Sequence, residues 1–200
     1  MTLPMTLLDM AGAPNEVADW KNCALVLIDY QNEYLDGALP LKTTGEEALQ
    51  NAKLLLGKAR QEGAPVFHVV QHGKPNGKIF DPLTDKVSIL KPLAPFSDEK
   101  IIEKTHPNSF HNTPLKDLLL LTNKQQVIFA GFMSHMCVSA SVRASLDLGF
   151  KNFVCHDACA TRELPSHNGS IISSDLLHDA AMAALKDRFA TIVSTKELTA

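Results

Sequence analysis

The strongest constraint on how this chain can fold is an alternation of two kinds of segment. Short apolar runs at Ala24 to Ile28, Pro65 to Val70, Ile101 to Ile102, Val127 to Ala130, Asn152 to Cys155 and Ala190 to Val193 are rich in β-branched residues. Nearly continuous apolarity of that length suits strands covered on both faces, as in parallel sheets. Between the runs lie stretches with helical periodicity. Thr44 followed by Glu47 is a capping box that opens Ala48, Leu49, Ala52, Leu55, Leu56 and Ala59, and Gly63 closes it. Thr113-Pro114 opens a second helix with threonine as cap and proline at the first helical position. A third is expected from Gly131 to Gly149 and a fourth from Ser174 to Lys186. The expected fold is therefore α/β, three layers α/β/α around a mostly parallel, doubly wound, Rossmann-like central sheet with right-handed crossovers.

No repeat, low-complexity tract or linker divides the chain, so residues 1–200 are expected to form one domain. Its 45% hydrophobic and 20% charged residues are ordinary for a globular core. A net charge of −3 supplies no field for a phosphate backbone or an anionic membrane, so no nucleic-acid or membrane partner is expected. Met1 to Pro14 lacks the basic flank and apolar block of a signal peptide, and a cytoplasmic location is the expectation. Cys23, Cys137, Cys155 and Cys159 are too few and too unevenly spread for a disulfide framework, and reduced thiols follow. Cys155, His156 and Cys159 have no second ligand pair at zinc-site spacing.

In an open parallel sheet the ligand crevice lies beyond the carboxyl ends of the strands. Three residues there carry chemistry. Asp29 ends the first run at the rim of an apolar core, where desolvation raises a carboxyl pKa. Lys104 ends the third run, where an ammonium needs an anionic partner. Cys137 is expected near the first turn of the helix after Gly131, where the dipole favours thiolate. Each also has a plain structural role: loop cap for Asp29, surface lysine for Lys104, small buried hydrophobe for Cys137. Together they make a nucleophile, a proton carrier and an electrostatic stabiliser. The segment from Gly73 to Glu99 holds Pro75, Pro82, Pro92 and Pro95 and should be a long irregular excursion, either covering a site or packed as structure.

The segments Ile28-Asp29-Tyr30-Gln31-Asn32, Glu103-Lys104-Thr105-His106-Pro107-Asn108-Ser109-Phe110 and Gly131-Phe132-Met133-Ser134-His135-Met136-Cys137-Val138 resemble the isochorismatase-like cysteine hydrolases. The similarity runs from about Ala24 to Thr195. It implies an isochorismatase-like α/β sandwich with Asp29, Lys104 and Cys137 as catalytic triad. It also implies a cis bond at Phe132–Met133 and an oxyanion hole from the Met133 and Cys137 amides. The implied reaction is hydrolysis of a small amide-type C–N bond through a thioester. A homo-oligomer, dimer or larger, is implied as well. Gln31, Phe110 and His135 are candidates for substrate contact, with His106 and His111 near the same crevice.

Nicotinamidases of this superfamily bind a divalent metal on Asp-x-His after the second strand. Here Lys74 and Asn76 fall at the ligand positions beside His72, so neither metal nor organic cofactor is expected. Members lacking the cysteine cleave a vinyl ether, whereas its presence here favours C–N hydrolysis. The alternatives are an isochorismatase-type or ester hydrolase on the same fold, or an α/β binding protein without turnover. Neither G-x-G-x-x-G, G-x-x-x-x-G-K-[ST] nor G-x-S-x-G occurs after any run.

Overall fold

In the computed structural model, which describes residues 4–200, a short helix α1 (Leu7–Met10) precedes the sheet. The chain then runs β1 (Cys23–Ile28), α2 (Lys42–Gln61), β2 (Val66–Gln71), β3 (Lys100–Lys104), α3 (Leu115–Leu121) and β4 (Gln126–Phe132). It continues through α4 (Ser139–Asp147), β5 (Lys151–Ala160), β6 (Leu164–Pro165), β7 (Ile171–Ile172), α5 (Ser174–Arg188), β8 (Thr191–Val193) and α6 (Thr195–Thr199). Met1 to Leu3, part of the amino-terminal stretch read above for signals, lie outside the described residues. Among the described residues no helix is long and apolar enough to cross a membrane.

Six strands form one sheet in the order β3-β2-β1-β4-β5-β8, and every neighbouring pair is parallel. The order reverses at β1, between β2 and β4, which is where such sheets open a crevice. Side chains alternate along β1: Cys23, Leu25 and Leu27 join one core cluster, Ala24, Val26 and Ile28 the other. Leu49, Leu55 and Leu56 of α2 and Leu198 of α6 close the first layer. Leu115 and Leu119 of α3, Val142 of α4, and Met182 and Leu185 of α5 close the second. This is the doubly covered parallel sheet that the apolar runs predict.

Several boundaries differ from the sequence expectation. α2 starts at Lys42 without a side-chain cap, because the Thr44 hydroxyl donates back to the Leu41 carbonyl (2.9 Å) instead of capping. α3 starts one residue late, with the Thr113 hydroxyl accepting from Leu115 N at 3.4 Å. β3 is an edge strand, so Ile101 is 53% exposed and the strand is not buried on both faces. β5 is ten residues long, not four, and takes Asp157 and Cys159 into the strand. Asp157 then caps α6, accepting from Thr195 N and Oγ1, both at 2.8 Å. The β6–β7 hairpin was not signalled by apolar patterning because its strands have only two residues each.

The Gly73–Glu99 excursion is packed structure. Leu90 and Leu93 are fully buried, Leu90 N donates to Tyr30 O (2.9 Å), and Phe80 N donates to Glu33 Oε2 (2.9 Å). Its far end is anchored by Glu99, which accepts from Arg60 Nε (2.7 Å) and Phe96 N and pairs with His68 Nε2 (2.9 Å). Burial pushes the Glu99 carboxyl up, but the Arg60, Phe96 and His68 contacts outweigh it and bring the pKa down to about 2. A carboxyl held below its unfolded value of about 4.3 stabilises the fold above that pH and ceases to as pH falls. Glu99→Gln is thus expected to melt below wild type at pH 7, with the gap closing from about pH 5 toward pH 2. Melting curves across that range check it, and a gap that is constant with pH would contradict it.

Candidate functional site

The site is built where β1, β2, β3 and β4 end. Gly131 sits at φ +147°, and a Cβ there would lie 2.2 Å from the Ile28 carbonyl oxygen, so only glycine lets β4 approach β1 as Asp29 leaves the sheet. Asp29 takes a left-handed φ of 55°, a conformation aspartate tolerates better than most residues. Its amide still donates to Val69 O (2.8 Å), so the side chain is fixed directly over the sheet edge.

β4 runs on to Phe132, and the Phe132–Met133 peptide bond is cis, as the resemblance implies. The next residues differ from expectation. Ser134–Val138 form a π-type turn, with Val138 N donating to Met133 O (3.3 Å), and the α-helix starts only at Ser139. Cys137 therefore lies in the first turn of the helix, as expected, but that turn is π-type and runs directly into α4. Side chains from two other elements hold that turn: Ser134 Oγ shares a hydrogen bond with His178 Nδ1 (2.8 Å), and His135 Nδ1 with Thr161 Oγ1 (2.6 Å). From within α4, Ser141 Oγ donates to Cys137 O (2.7 Å).

Lys104 joins the three strand ends. It stands beside Gln71 in the β2–β3 register, and its Nζ donates to Asp29 Oδ2 (2.7 Å), Gln71 Oε1 (2.7 Å) and Cys137 Sγ (3.4 Å). All three ammonium hydrogens thus have acceptors, which a fully buried lysine requires. Asp29, Lys104 and Cys137 are 0, 2 and 6% exposed, so all three groups are buried. The described surface hollows, about 270 to 460 Å³ in volume, lie elsewhere.

Charge states follow from this burial. Burial raises the Asp29 carboxyl above the usual carboxylate range, against the pull of Lys104. Burial and the Asp29 charge push the Cys137 thiol up to about 12, against Lys104. The expectation of a dipole-stabilised thiolate is therefore corrected: desolvation outweighs the favourable charges, and the sulfur rests as thiol. The Asp29 carboxylate interacts with that thiol, yet its Oδ1 accepts no hydrogen bond of normal geometry among the described residues. A buried acceptor left open beside an S–H is placed to take its proton.

The outlying candidates fare differently. Gln31 is fully buried; its Nε2 donates to Gln71 O (3.0 Å) and Val87 O (2.8 Å), and its Oε1 accepts from Gln71 N (2.8 Å). With its amide spent, Gln31 holds Gln71, and through it Lys104, instead of meeting a ligand. Phe110 packs half-buried on the second core cluster, and Phe80 is buried against Tyr34 at 5.5 Å between ring centroids. Phe96 lies exposed under the Arg60 guanidinium, so neither it nor Phe80 walls the site. His106 and His111 face one another at the surface, and His72 pairs with Glu103 at 3.4 Å. His135, half-buried, shares its Nδ1 hydrogen bond with Thr161 Oγ1. Gln71 was missed because a glutamine closing an apolar run reads as a strand end; only the strand register reveals its partner.

A family model, the Isochorismatase domain, matches residues 23–197. The uncharacterized isochorismatase family protein YddQ of Bacillus subtilis is 39% identical over 174 residues, covering 86% of this chain and 96% of its own. A streptothricin hydrolase of Streptomyces noursei is 32% identical over 180 residues, covering 89% of this chain and 67% of its own. The crystal structure of an isochorismatase from Pseudomonas putida superposes with a TM-score of 0.92 at 36% identity, covering 97% of this chain and 98% of that one. With a match to nearly the whole sheet and its site, the chain belongs to the isochorismatase family of hydrolases.

Proposed function

We propose that this protein hydrolyses a carbon–nitrogen bond of a small amide through a thioester on Cys137. One observation carries the reading: a single buried ammonium touches both a carboxylate (2.7 Å) and a thiol (3.4 Å), and the carboxylate keeps one oxygen open. Asp29 accepts the thiol proton as Sγ attacks the substrate carbonyl, so the thiolate exists only as it is used. Lys104 offsets the negative charge shared by carboxylate and sulfur. The Met133 and Cys137 amides take the developing oxyanion, a contribution of roughly 3–4 kcal/mol for oxyanion-hole donors. Collapse breaks the C–N bond, and Asp29 gives its proton to the leaving nitrogen. A water then loses a proton to Asp29 and attacks the thioester, and that proton returns to the sulfur as the acid departs.

The cysteine favours this chemistry over vinyl-ether cleavage, and the carboxylic acid formed on Asp29 suits a leaving group that must be protonated. The test is acid-quenched mass spectrometry during turnover of a panel of small amides, nicotinamide and N-carbamoyl compounds included. An acyl mass increment on the peptide carrying Cys137, absent in Cys137→Ala, is the expected result. Turnover retained by Cys137→Ala would overturn the reading.

A further inference from the structure

Lys104 and Cys137 come from distant parts of the chain, and the proposed reaction needs them at a fixed separation. A closed network of hydrogen bonds, none of which the reaction uses, joins the two segments. Ser141 stands in the first turn of α4, four residues after Cys137, and Ser109 lies between β3 and α3, five residues after Lys104. Both serines are fully buried. Ser141 Oγ lies 2.7 Å from the Cys137 carbonyl oxygen and 2.8 Å from Ser109 Oγ, and it accepts from Ser109 N at 2.9 Å.

Counting hydrogens fixes the direction of each bond. Ser141 Oγ carries one hydrogen, and the Cys137 carbonyl can only accept, so that hydrogen belongs to the carbonyl. The Ser109 hydroxyl has Ser141 Oγ as its one partner among the described residues, so its own hydrogen goes there. Ser141 Oγ then accepts twice and donates once, which uses it fully. A buried polar network with every member satisfied is rigid. Ser109 is tied from its other side too, since its carbonyl accepts from Thr113 Oγ1 (2.5 Å) just ahead of α3.

We propose that Ser141 and Ser109 are positioning residues, a hydroxyl brace that holds the turn carrying Cys137 against the segment carrying Lys104 and so sets the distance from sulfur to ammonium. This deepens the thioester reading and rests on it. Of the three acceptors around Lys104 Nζ, Asp29 is fixed by its amide bond to Val69 O, and Gln71 stands beside Lys104 in the strand register. Both lie at 2.7 Å. The third, Cys137 Sγ, lies at 3.4 Å on a π-type turn outside the sheet, where no strand register holds it. It is the contact that needs a separate support, because a displacement of about 1 Å can cost about 10²-fold in rate.

The test is the alkylation rate of Cys137 by iodoacetamide across pH, read by peptide mass spectrometry, with Cys23 as internal control. Cys23 is buried at the far end of β1 from Asp29, so it reports general loosening, which speeds the reaction of every buried thiol. Loss of the brace acts the other way: Sγ leaves the ammonium that favours its thiolate, and Cys137 alone reacts more slowly and at higher pH. Ser141→Ala and Ser141→Val are expected to slow Cys137 by about 10-fold or more, with Cys23 no slower. Ser141→Thr, close to valine in size but with the hydroxyl kept, is expected to stay near the wild-type rate. Ser109→Ala removes only the outer bond and should show a smaller loss in the same direction, which keeps the test open if the Ser141 variants do not fold. A Cys137 rate that is unchanged or higher in the variants that fold, or that falls as far in Ser141→Thr as in Ser141→Val, overturns the brace while the thioester reading stands. If wild-type Cys137 reacts no faster than Cys23, the thioester reading fails and takes the brace with it.

Discussion

Asp29→Asn is expected to lower turnover by about 10²–10⁴-fold, the range for removing a general acid–base group. Asparagine keeps the shape of the side chain, and its carbonyl oxygen can still accept from Lys104 Nζ, which the carboxylate does at 2.7 Å. What it cannot do is take a proton. With the Cys137 thiol pushed up to about 12, hardly any thiolate forms unaided at pH 7, so the loss should fall on the chemical step. The measurement is kcat together with the alkylation rate of Cys137 by iodoacetamide, and both should fall. A variant that turns over at the wild-type rate would remove Asp29 from the mechanism. One that loses turnover while alkylating normally would confine Asp29 to the later protonation of the leaving group.

The alternation of apolar runs and amphipathic stretches was enough for the layers and the parallel sheet, because burial on both faces leaves no room for polar alternation. It could not give the strand order, which depends on crossovers. Lys104 shows the consequence: the sequence places it at a strand end, but its role comes from β3 lying beyond β2, so that its side chain spans the end of β2 to reach Asp29. Cys137 was found for a partly mistaken reason. Its strand-to-helix context was legible, but the π-type turn that replaces the first helical turn has no composition signal. Gln31 misled because its position next to Asp29 says nothing of where its amide points.

Lys104→Met is expected to destabilise the fold by about 3–5 kcal/mol at pH 7, the cost of breaking a buried ion pair from one side. Methionine fills most of the lysine volume, so the loss reports charge more than a cavity. Asp29, fully buried, is then left without its counter-ion. Burial already raises its pKa with Lys104 beside it, and removing the ammonium removes what opposes that push. In the variant the native state holds a proton that the unfolded chain, with an aspartate pKa of about 3.9, has released. Stability must then fall as pH rises through the interval between the two values, and recover as pH falls. Melting curves from pH 5 to 8 should therefore show the deficit growing with pH, and the double variant Asp29→Asn/Lys104→Met should recover much of it. Replacing both partners leaves no uncompensated charge. A deficit independent of pH, or a double variant less stable than Lys104→Met, would mean that Lys104 supports the fold through packing, and that the ammonium joining carboxylate and thiol is not what holds this site together.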